Sequence, residues 1–443
     1  MLAEPMTSFE NSVTAAVLNV IRARRNGRSA PNGDPSVPPS KVAPAGLREA
    51  RFSDFTAVAQ LKRRWGLTPD SLQNWERLWR RNPALGQLQY ERPIGWILEV
   101  DGRVVGYLGN ISLLYRYGDR TLNAVTSHGL VVEPEYRAVS LSLVAAFYRQ
   151  RSVDLYLTTT AVEAVGKMAR AFKSDPLPQS DYDTVLFWVL QPHPFAQAMM
   201  KKLGLGTTLA HVGGMLGSAA VGTDKVLRRR WPRRGSTCLP VDEIAISQIG
   251  DDFQALWIEK CDERPRMLAD RSAAALRWHF DIPGDRGSVR VLCCRKNGEL
   301  LGYAVIRNDT GPNGLHQSVI ADLVAKQDDP AVVRALLFEA YEHEKRSGSH
   351  ILEVLGFPQT IRQVCLQWHP YQRKYPACPF YYKAVDPIFH KTLSDGLAWY
   401  ATPFDGDTTL IKPSYSRVPG RQTEDAGDTT ASRVPEAEGI EVR

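Results

Sequence analysis

With 443 residues the chain is long for one hydrophobic core and comfortable for two. Its 43% hydrophobic and 23% charged residues are those of an ordinary soluble globular protein, and no apolar run is long enough for a membrane-spanning helix. The formal net charge of +7 is modest, and the basic runs at 22–25 and 228–234 lack the interleaved aromatics that stack bases, so no nucleic-acid partner is expected.

The cysteines all fall in the second half, at Cys238, Cys261, Cys293, Cys294, Cys365 and Cys378, without a Cys-x-x-Cys pair. That pattern suits buried thiols in a reducing, cytoplasmic setting better than a disulfide framework or a zinc site. No His-Glu-x-x-His occurs, so no metal is expected. No secretory signal is expected at the start of the chain.

Phe9, Val13, Val17 and Ile21 recur at helical spacing ahead of Arg22, Arg24, Arg25 and Arg28. This predicts a short basic amphipathic helix, either fraying in solvent or making weak contact with a membrane surface. The Pro-, Ser- and Gly-rich stretch from 26 to 44 reads as a linker, so 1–44 forms a disordered N-terminal segment. A strand follows at 47–52. Ser53-Asp54 then starts a helix carrying Phe55, Val58 and Leu61 on one face. Leu72, Trp75, Leu78 and Trp79 mark a second helix that stops at Asn82-Pro83. The apolar runs 96–100 and 104–108, separated by Asp101-Gly102, predict a tight hairpin. A further strand leads through Val125 and Leu130 to Val132, a polar turn follows, and an apolar helix opens near Ala138. Strands at 153–157 and 184–189 flank a helix at 160–171. The glycine-containing stretch 209–226 reads as a helical connector within 207–237.

The second block echoes the first. Asp101-Gly102-Arg103-Val104-Val105-Gly106-Tyr107 aligns without a gap to Asn297-Gly298-Glu299-Leu300-Leu301-Gly302-Tyr303. Both hairpins follow a Trp-bearing helix that ends near a proline, and both lead to an apolar strand, a helix and another strand. The repeat predicts two tandem domains, 45–206 and 238–412, followed by a disordered tail at 413–443.

A strand running through a turn into a helix presents backbone N–H groups to an anion. In Arg137-Ala138-Val139-Ser140-Leu141-Ser142 this architecture resembles the acyl-CoA-binding motif of the GNAT N-acyltransferases, Arg/Gln-x-x-Gly-x-Gly/Ala, with serines in place of the glycines. The element order is also similar to GNAT, twice over, which implies an α/β fold of two tandem GNAT-like domains. Each would be a mixed antiparallel and parallel sheet flanked by helices. The resemblance implies an N-acyltransferase, most simply an acetyltransferase, that takes acyl-CoA as co-substrate and passes its acyl group to the amine of a small molecule, sugar or peptide by direct attack.

Leu130, Val131 and Val132 would then line the pantetheine arm, and Arg137, Ala138, Val139, Ser140, Leu141 and Ser142 the diphosphate. His128, with a side chain that titrates near neutrality, is the candidate general base, with Ser127 or Glu133 as relays through water. Tyr182, or else Tyr156, is the candidate acid for the leaving thiolate.

In the second copy the matching turn, Lys326-Gln327-Asp328-Asp329-Pro330, sets carboxylates where phosphate would lie, and it is expected not to bind CoA. Asp328 is read there as a helix N-cap. Asp322, Trp368 to Tyr371 and Tyr381-Tyr382 are read as core and loop packing, with an acceptor cleft as the alternative they could line, and Trp399-Tyr400 with Asp405-Gly406-Asp407 reads as a late strand and turn. Two other readings stay open: an aminoacyl-tRNA-dependent transferase of the peptidoglycan-bridge kind, and a non-catalytic binding or scaffold protein whose CoA sites have decayed.

Overall fold

The computed structural model describes residues 44–411, apart from 89–90, 162, 203–206, 236–238, 286, 312–313 and 375–379. The expected helix at 9–21, the tail at 413–443, Cys238 and Cys378 lie outside the described residues. Cys261, Cys293, Cys294 and Cys365 are free and buried.

Two mixed sheets carry the fold, flanked by helices as expected. The first runs in the order β1 (Gly46–Glu49), β2 (Gly95–Val100), β3 (Arg103–Tyr117), β4 (Arg120–Val132), β5 (Leu155–Thr158), β15 (Tyr381–Ala384) and β6 (Asp175–Pro176), with β9 (Leu268–Ala269) paired to β3. The second runs in the order β14 (Tyr371–Lys374), β7 (Thr184–Val189), β13 (Ile351–Val354), β12 (His316–Ala325), β11 (Glu299–Thr310), β10 (Val289–Lys296) and β8 (Val241–Ile244).

The repeat is written into the backbone. Asp101 and Gly102, like Asn297 and Gly298, all take positive φ, the conformation a two-residue hairpin turn demands. Each hairpin also carries a register shift at the same place, between Leu98 and Glu99 in one and between Cys294 and Arg295 in the other. Gly106 and Gly302 thus occupy equivalent positions.

Helix α1 (Phe55–Arg64) buries Val58 and Leu61, and α2 (Leu72–Trp79) buries Trp75, Leu78 and Trp79. Both pack on β3 through Tyr107 and Ile111. Ser71 caps α2 by accepting the Asn74 N–H.

Sheet membership crosses between the two blocks of sequence. Strand β7 lies in the first block but pairs antiparallel with β13 and β14 in the second sheet. Strand β15 lies in the second block and pairs antiparallel with β5 in the first sheet. All six residues of β7, Thr-Val-Leu-Phe-Trp-Val, are buried, as a strand with both faces and both edges covered requires. The expected late strand at Trp399-Tyr400 is instead a single parallel bridge between Trp399 and Met267.

Candidate functional site

Parallel pairing between β4 and β5 covers only Ala124 to Thr126 on one side and Leu155 to Leu157 on the other. From Ser127 to Val132, β4 continues without β5, so one row of its backbone groups has no strand partner among the described residues. The registers with β3 show the cause. Gly109 faces His128 and Tyr107 faces Val131, so β4 advances one residue further than β3 and bulges at Gly129-Leu130. Gly129 has φ +64°, which a residue without a Cβ adopts at little cost. Ser127, Gly129, Leu130 and Val132 remain partly exposed along this splayed edge, whereas Val131 turns into the core on the α1 and α2 side.

The end of β4 does not feed directly into an α-helix at Ala138, as expected. A 3-10 helix, Pro134–Val139, intervenes, and α3 (Ser140–Tyr148) starts only at Ser140. Pro134 presets the first turn, and the Ser140 N–H donates to the Arg137 carbonyl, so one amide of the expected cradle is already used. The two serines turn back on the chain: Ser140 Oγ donates to the Arg137 carbonyl and Ser142 Oγ to the Val139 carbonyl, each at 2.7 Å. Neither hydroxyl projects across the mouth, where Arg137, Ala138, Val139 and Leu141 are exposed.

Glu133, at the start of this turn, is buried and clamped by Arg64 at 2.9 Å and Arg103 at 2.7 Å. It braces the junction and is committed to those arginines. At the crotch of the splay Ser127 Oγ meets Thr158 Oγ1 at 3.1 Å.

His128 lies beside that crotch, buried between two carboxylates from distant loops. Its Nδ1 is 3.4 Å from Asp407 Oδ2 and its Nε2 is 3.5 Å from Asp70 Oδ2, the latter an ion-pair contact rather than a hydrogen bond. Asp70 also takes Lys62 Nζ at 2.7 Å, and Asp407 takes the Thr159 hydroxyl at 2.6 Å. Burial works against a charged imidazole, but Asp407 and Asp70 outweigh it and raise the pKa of His128 above its ordinary value. Burial likewise opposes ionised Asp70, yet the Lys62 charge and His128 hold its carboxyl well below the usual carboxylate range.

A carboxylate only accepts, so facing one on each side favours a hydrogen on both ring nitrogens. A ring in that state has no lone pair for an incoming proton. For His128 to serve as the general base, one ring nitrogen has to give up that hydrogen or a neighbouring carboxylate has to share the role.

The two candidate tyrosines lie in different places: Tyr156 is on β5, two residues before Thr158. Tyr156 donates to the Gln150 carbonyl at 3.1 Å, and burial pushes its pKa up to about 12. Tyr182 lies on the turn before β7, with its ring on Phe380 and against Gly356 beyond β13. Those contacts place it with the second sheet and not beside His128.

Sequence reasoning missed Lys62 and Asp70, which read as ordinary helix and loop residues. Asp407 carried a signal in Asp405-Gly406-Asp407, but the turn interpretation hid its reach into the core.

The second sheet has the same backbone device and a different filling. Parallel pairing of β12 with β13 stops at Val319 and Glu353, and β12 bulges between Ile320 and Asp322. Gly106 pairs with Val132 and Gly302 with Ala325, so counting back sets Asp322 at the position of Gly129 and Tyr303 at that of Tyr107.

Here the gap is closed. Asp322 is fully buried and accepts from Arg271 Nε at 3.0 Å, the Tyr303 hydroxyl at 3.0 Å and the Thr402 hydroxyl at 2.8 Å. The Tyr400 hydroxyl donates to the Leu323 carbonyl at 2.8 Å, which satisfies the backbone of the splayed strand from within the chain.

At the following turn Asp328 is the hub of an ion cluster, taking Lys260 at 2.6 Å and Arg266 at 2.7 Å. The cap of α9 (Pro330–Arg346) is Asp329, which accepts the Ala331 N–H, and not Asp328 as expected. The aromatics that could have lined an acceptor cleft are packed apart: Trp368 packs on Trp188, Tyr371 stacks on Phe187 in the second sheet, and Tyr381 and Tyr382 lie in β15 of the first.

No family model matches the chain, and no curated protein matches its sequence. Solved structures do match its fold. A GCN5-related N-acetyltransferase from Anabaena variabilis aligns with a TM-score of 0.50 at 9% identity, covering 77% of this chain and 73% of that one. One from Kribbella flavida gives 0.50 at 11% identity over 77% and 71%. A conserved protein of unknown function from Enterococcus faecalis gives 0.51 at 8% identity over 78% and 73%. With a bulged and splayed strand in each of its two sheets, the chain has the GCN5-related N-acetyltransferase fold in tandem.

Proposed function

We propose that the first copy binds an acyl-CoA, acetyl-CoA being the simplest, and passes the acyl group to an amine. The observation that carries this reading is the open splay of β4. A strand edge with unpaired backbone groups and partly exposed Leu130 and Val132 suits an extended pantetheine arm, which pairs with backbone as a strand would. The arm then reaches the crotch at Ser127 and Thr158. Arg137, which has no ion-pair partner among the described residues, stands over the 3-10 turn where the diphosphate comes to rest. The serines leave that approach clear.

Direct attack of an amine on the thioester needs positioning, a proton acceptor and charge stabilisation, and no protein nucleophile. In this reading the Asp407–His128 pair takes the amine proton together: the carboxylate accepts, and the protonated ring holds the carboxylate in place. The backbone at the bulge stabilises the developing oxyanion; as the tetrahedral intermediate collapses the C–S bond breaks and CoA leaves as its thiolate, which takes up the proton held on the carboxylate. The second copy, sealed by its own side chains, supports the first and binds no CoA.

Thermal-shift titration of the full chain with acetyl-CoA tests the reading. Ligand at a hundredfold its Kd stabilises by about 2.7 kcal/mol, a readily measured shift. Arg137→Glu is expected to weaken CoA binding about tenfold or more, since a charge-assisted contact contributes about 1.5–3 kcal/mol. No shift with the native chain, or equal affinity in the variant, overturns it.

A further inference from the structure

The longest helix, α6 (Thr207–Leu227), is built inside out. Two of its glycines face inward: a Cβ on Gly214 would meet Gln197 at 3.3 Å, and one on Gly217 would meet Ala196 at 3.2 Å, both on α5 (Pro192–Lys202). Val221 packs inward against Phe195 and its neighbours, but four other large apolar side chains face outward, with Met215 56%, Leu216 73%, Val226 65% and Leu227 77% exposed. An ordinary surface helix does the reverse, because burying large side chains is what holds it down.

Ala219, Ala220 and Thr223 complete the same exposed side. The charged residues between His211 and Leu227 turn away from it: Asp224 is bound to Arg228, Arg230 and Tyr371, and Lys225 donates to the Val189 carbonyl at 2.8 Å. Past the last turn, Arg228, Arg229, Arg233 and Arg234 are all exposed. At the opposite end stands exposed Lys201, near the close of α5. The result, among the described side chains, is an uncharged apolar strip from Met215 to Leu227, about 20 Å long, with exposed arginines just past one end and Lys201 beyond the other.

We propose that α6 is a membrane-docking element that lies in the plane of an anionic phospholipid surface, with its apolar side among the acyl chains and its terminal arginines on the headgroups. Surface binding of this kind sums buried apolar area and attraction to anionic lipid, and the strip supplies both. No helix among the described residues is long and apolar enough to cross a membrane, so α6 rests on the bilayer. A second copy of the chain fits the strip poorly. Parallel pairing sets arginines against arginines, and antiparallel pairing sets them against Lys201, so like charges meet either way.

Co-sedimentation of the full chain with phosphatidylcholine vesicles, with and without phosphatidylglycerol, tests the proposal. The native chain is expected to pellet with the anionic vesicles and to stay in solution with the neutral ones. Arg229→Glu with Arg233→Glu is expected to weaken binding by at least about fivefold per residue. Leu216→Glu with Leu227→Glu should abolish it, with circular dichroism unchanged because both side chains point to solvent. The proposal falls if the native chain ignores anionic vesicles, or if the leucine variant pellets as the native chain does. It falls equally if light scattering shows a dimer that the leucine variant splits, since the strip is then covered by a second copy.

Discussion

The two sheets share one backbone device and use it in opposite ways. In each, the strand after the hairpin bulges and parts from its parallel neighbour. In the first, the bulge residue is Gly129, Tyr107 has a buried hydroxyl without a hydrogen-bond partner, and the edge beyond is partly exposed. In the second, Asp322 stands at the glycine's position and gives the equivalent Tyr303 its acceptor. Arg271 balances the charge, and Tyr400 and Thr402 fill the gap. The two copies share the backbone device, and a few side chains decide whether the gap stays open or becomes core. A buried polar group needs a partner; the closed copy supplies one internally, and the open copy leaves that demand near its groove.

The sharpest way to break the comparison is to unbalance the closed copy. Arg271 is fully buried and lies between Asp322 at 3.0 Å and Asp405 at 3.5 Å. Arg271→Ala leaves two carboxylates without their cation and is expected to cost about 3–5 kcal/mol, measured by urea unfolding. Burial already pushes Asp405 up to about 6 despite Arg271. In the native chain its contribution is therefore full below about 4 and is lost as pH rises through about 6. The variant should lose still more over that range.

The reverse experiment closes the open copy. Gly129→Asp sets a carboxylate where the second copy has one, with its Cβ 3.3 Å from Lys62 Nζ, which is buried against Asp70. At φ +64° an aspartate costs about 1–2 kcal/mol, less whatever Lys62 and Tyr107 return. The chain should stay folded and lose its acetyl-CoA thermal shift. A retained shift would mean that the ligand does not run along this edge.

These contrasts were only partly legible in the sequence. The Asp-Gly and Asn-Gly turns and the residues after them revealed the repeat, because a two-residue hairpin leaves a local chemical trace. The bulges did not, since a bulge is a relation between two strands, although a lone glycine inside the apolar run to Val132 is its usual trace. The apolar run of β7 read as a strand but carried no sign of which sheet would bury it. His128 stood out as a candidate, yet its behaviour is set by Asp70 and Asp407, the latter 279 residues further along the chain. No spacing rule reaches that far. The serines at 140 and 142 stand where the resembled motif has glycines, and nothing in the sequence reveals that their hydroxyls bond back to the preceding carbonyls.

A smaller effect separates the acid–base chemistry of the two copies. Because the pKa of His128 is raised, the folded protein holds its proton more tightly than the unfolded chain does. Its contribution to stability is full below about pH 6.5 and is lost as pH rises through the folded value. His128→Gln should flatten that part of the stability–pH curve, followed by urea unfolding at each pH. It should also remove the corresponding limb of the pH–rate profile if the Asp407–His128 pair takes the amine proton. Flattening of the stability curve without any change in rate profile would leave His128 as a brace for Asp407 alone.

The smallest expected effect tests the turn itself. If serine bulk narrowed the diphosphate seat, Ser140→Gly would tighten CoA binding markedly. In the structure the Ser140 hydroxyl is bonded to the Arg137 carbonyl, behind the mouth and not across it. Glycine there gives up that bond and adds chain entropy at the start of α3, a cost of about 0.5–1 kcal/mol in stability. Affinity for acetyl-CoA, read by calorimetric titration, should then stay within about threefold of the native value, a change under 1 kcal/mol. A gain of tenfold or more would show that the hydroxyl does obstruct the phosphate, and the first copy would be a weakened site on its way to the condition of the second.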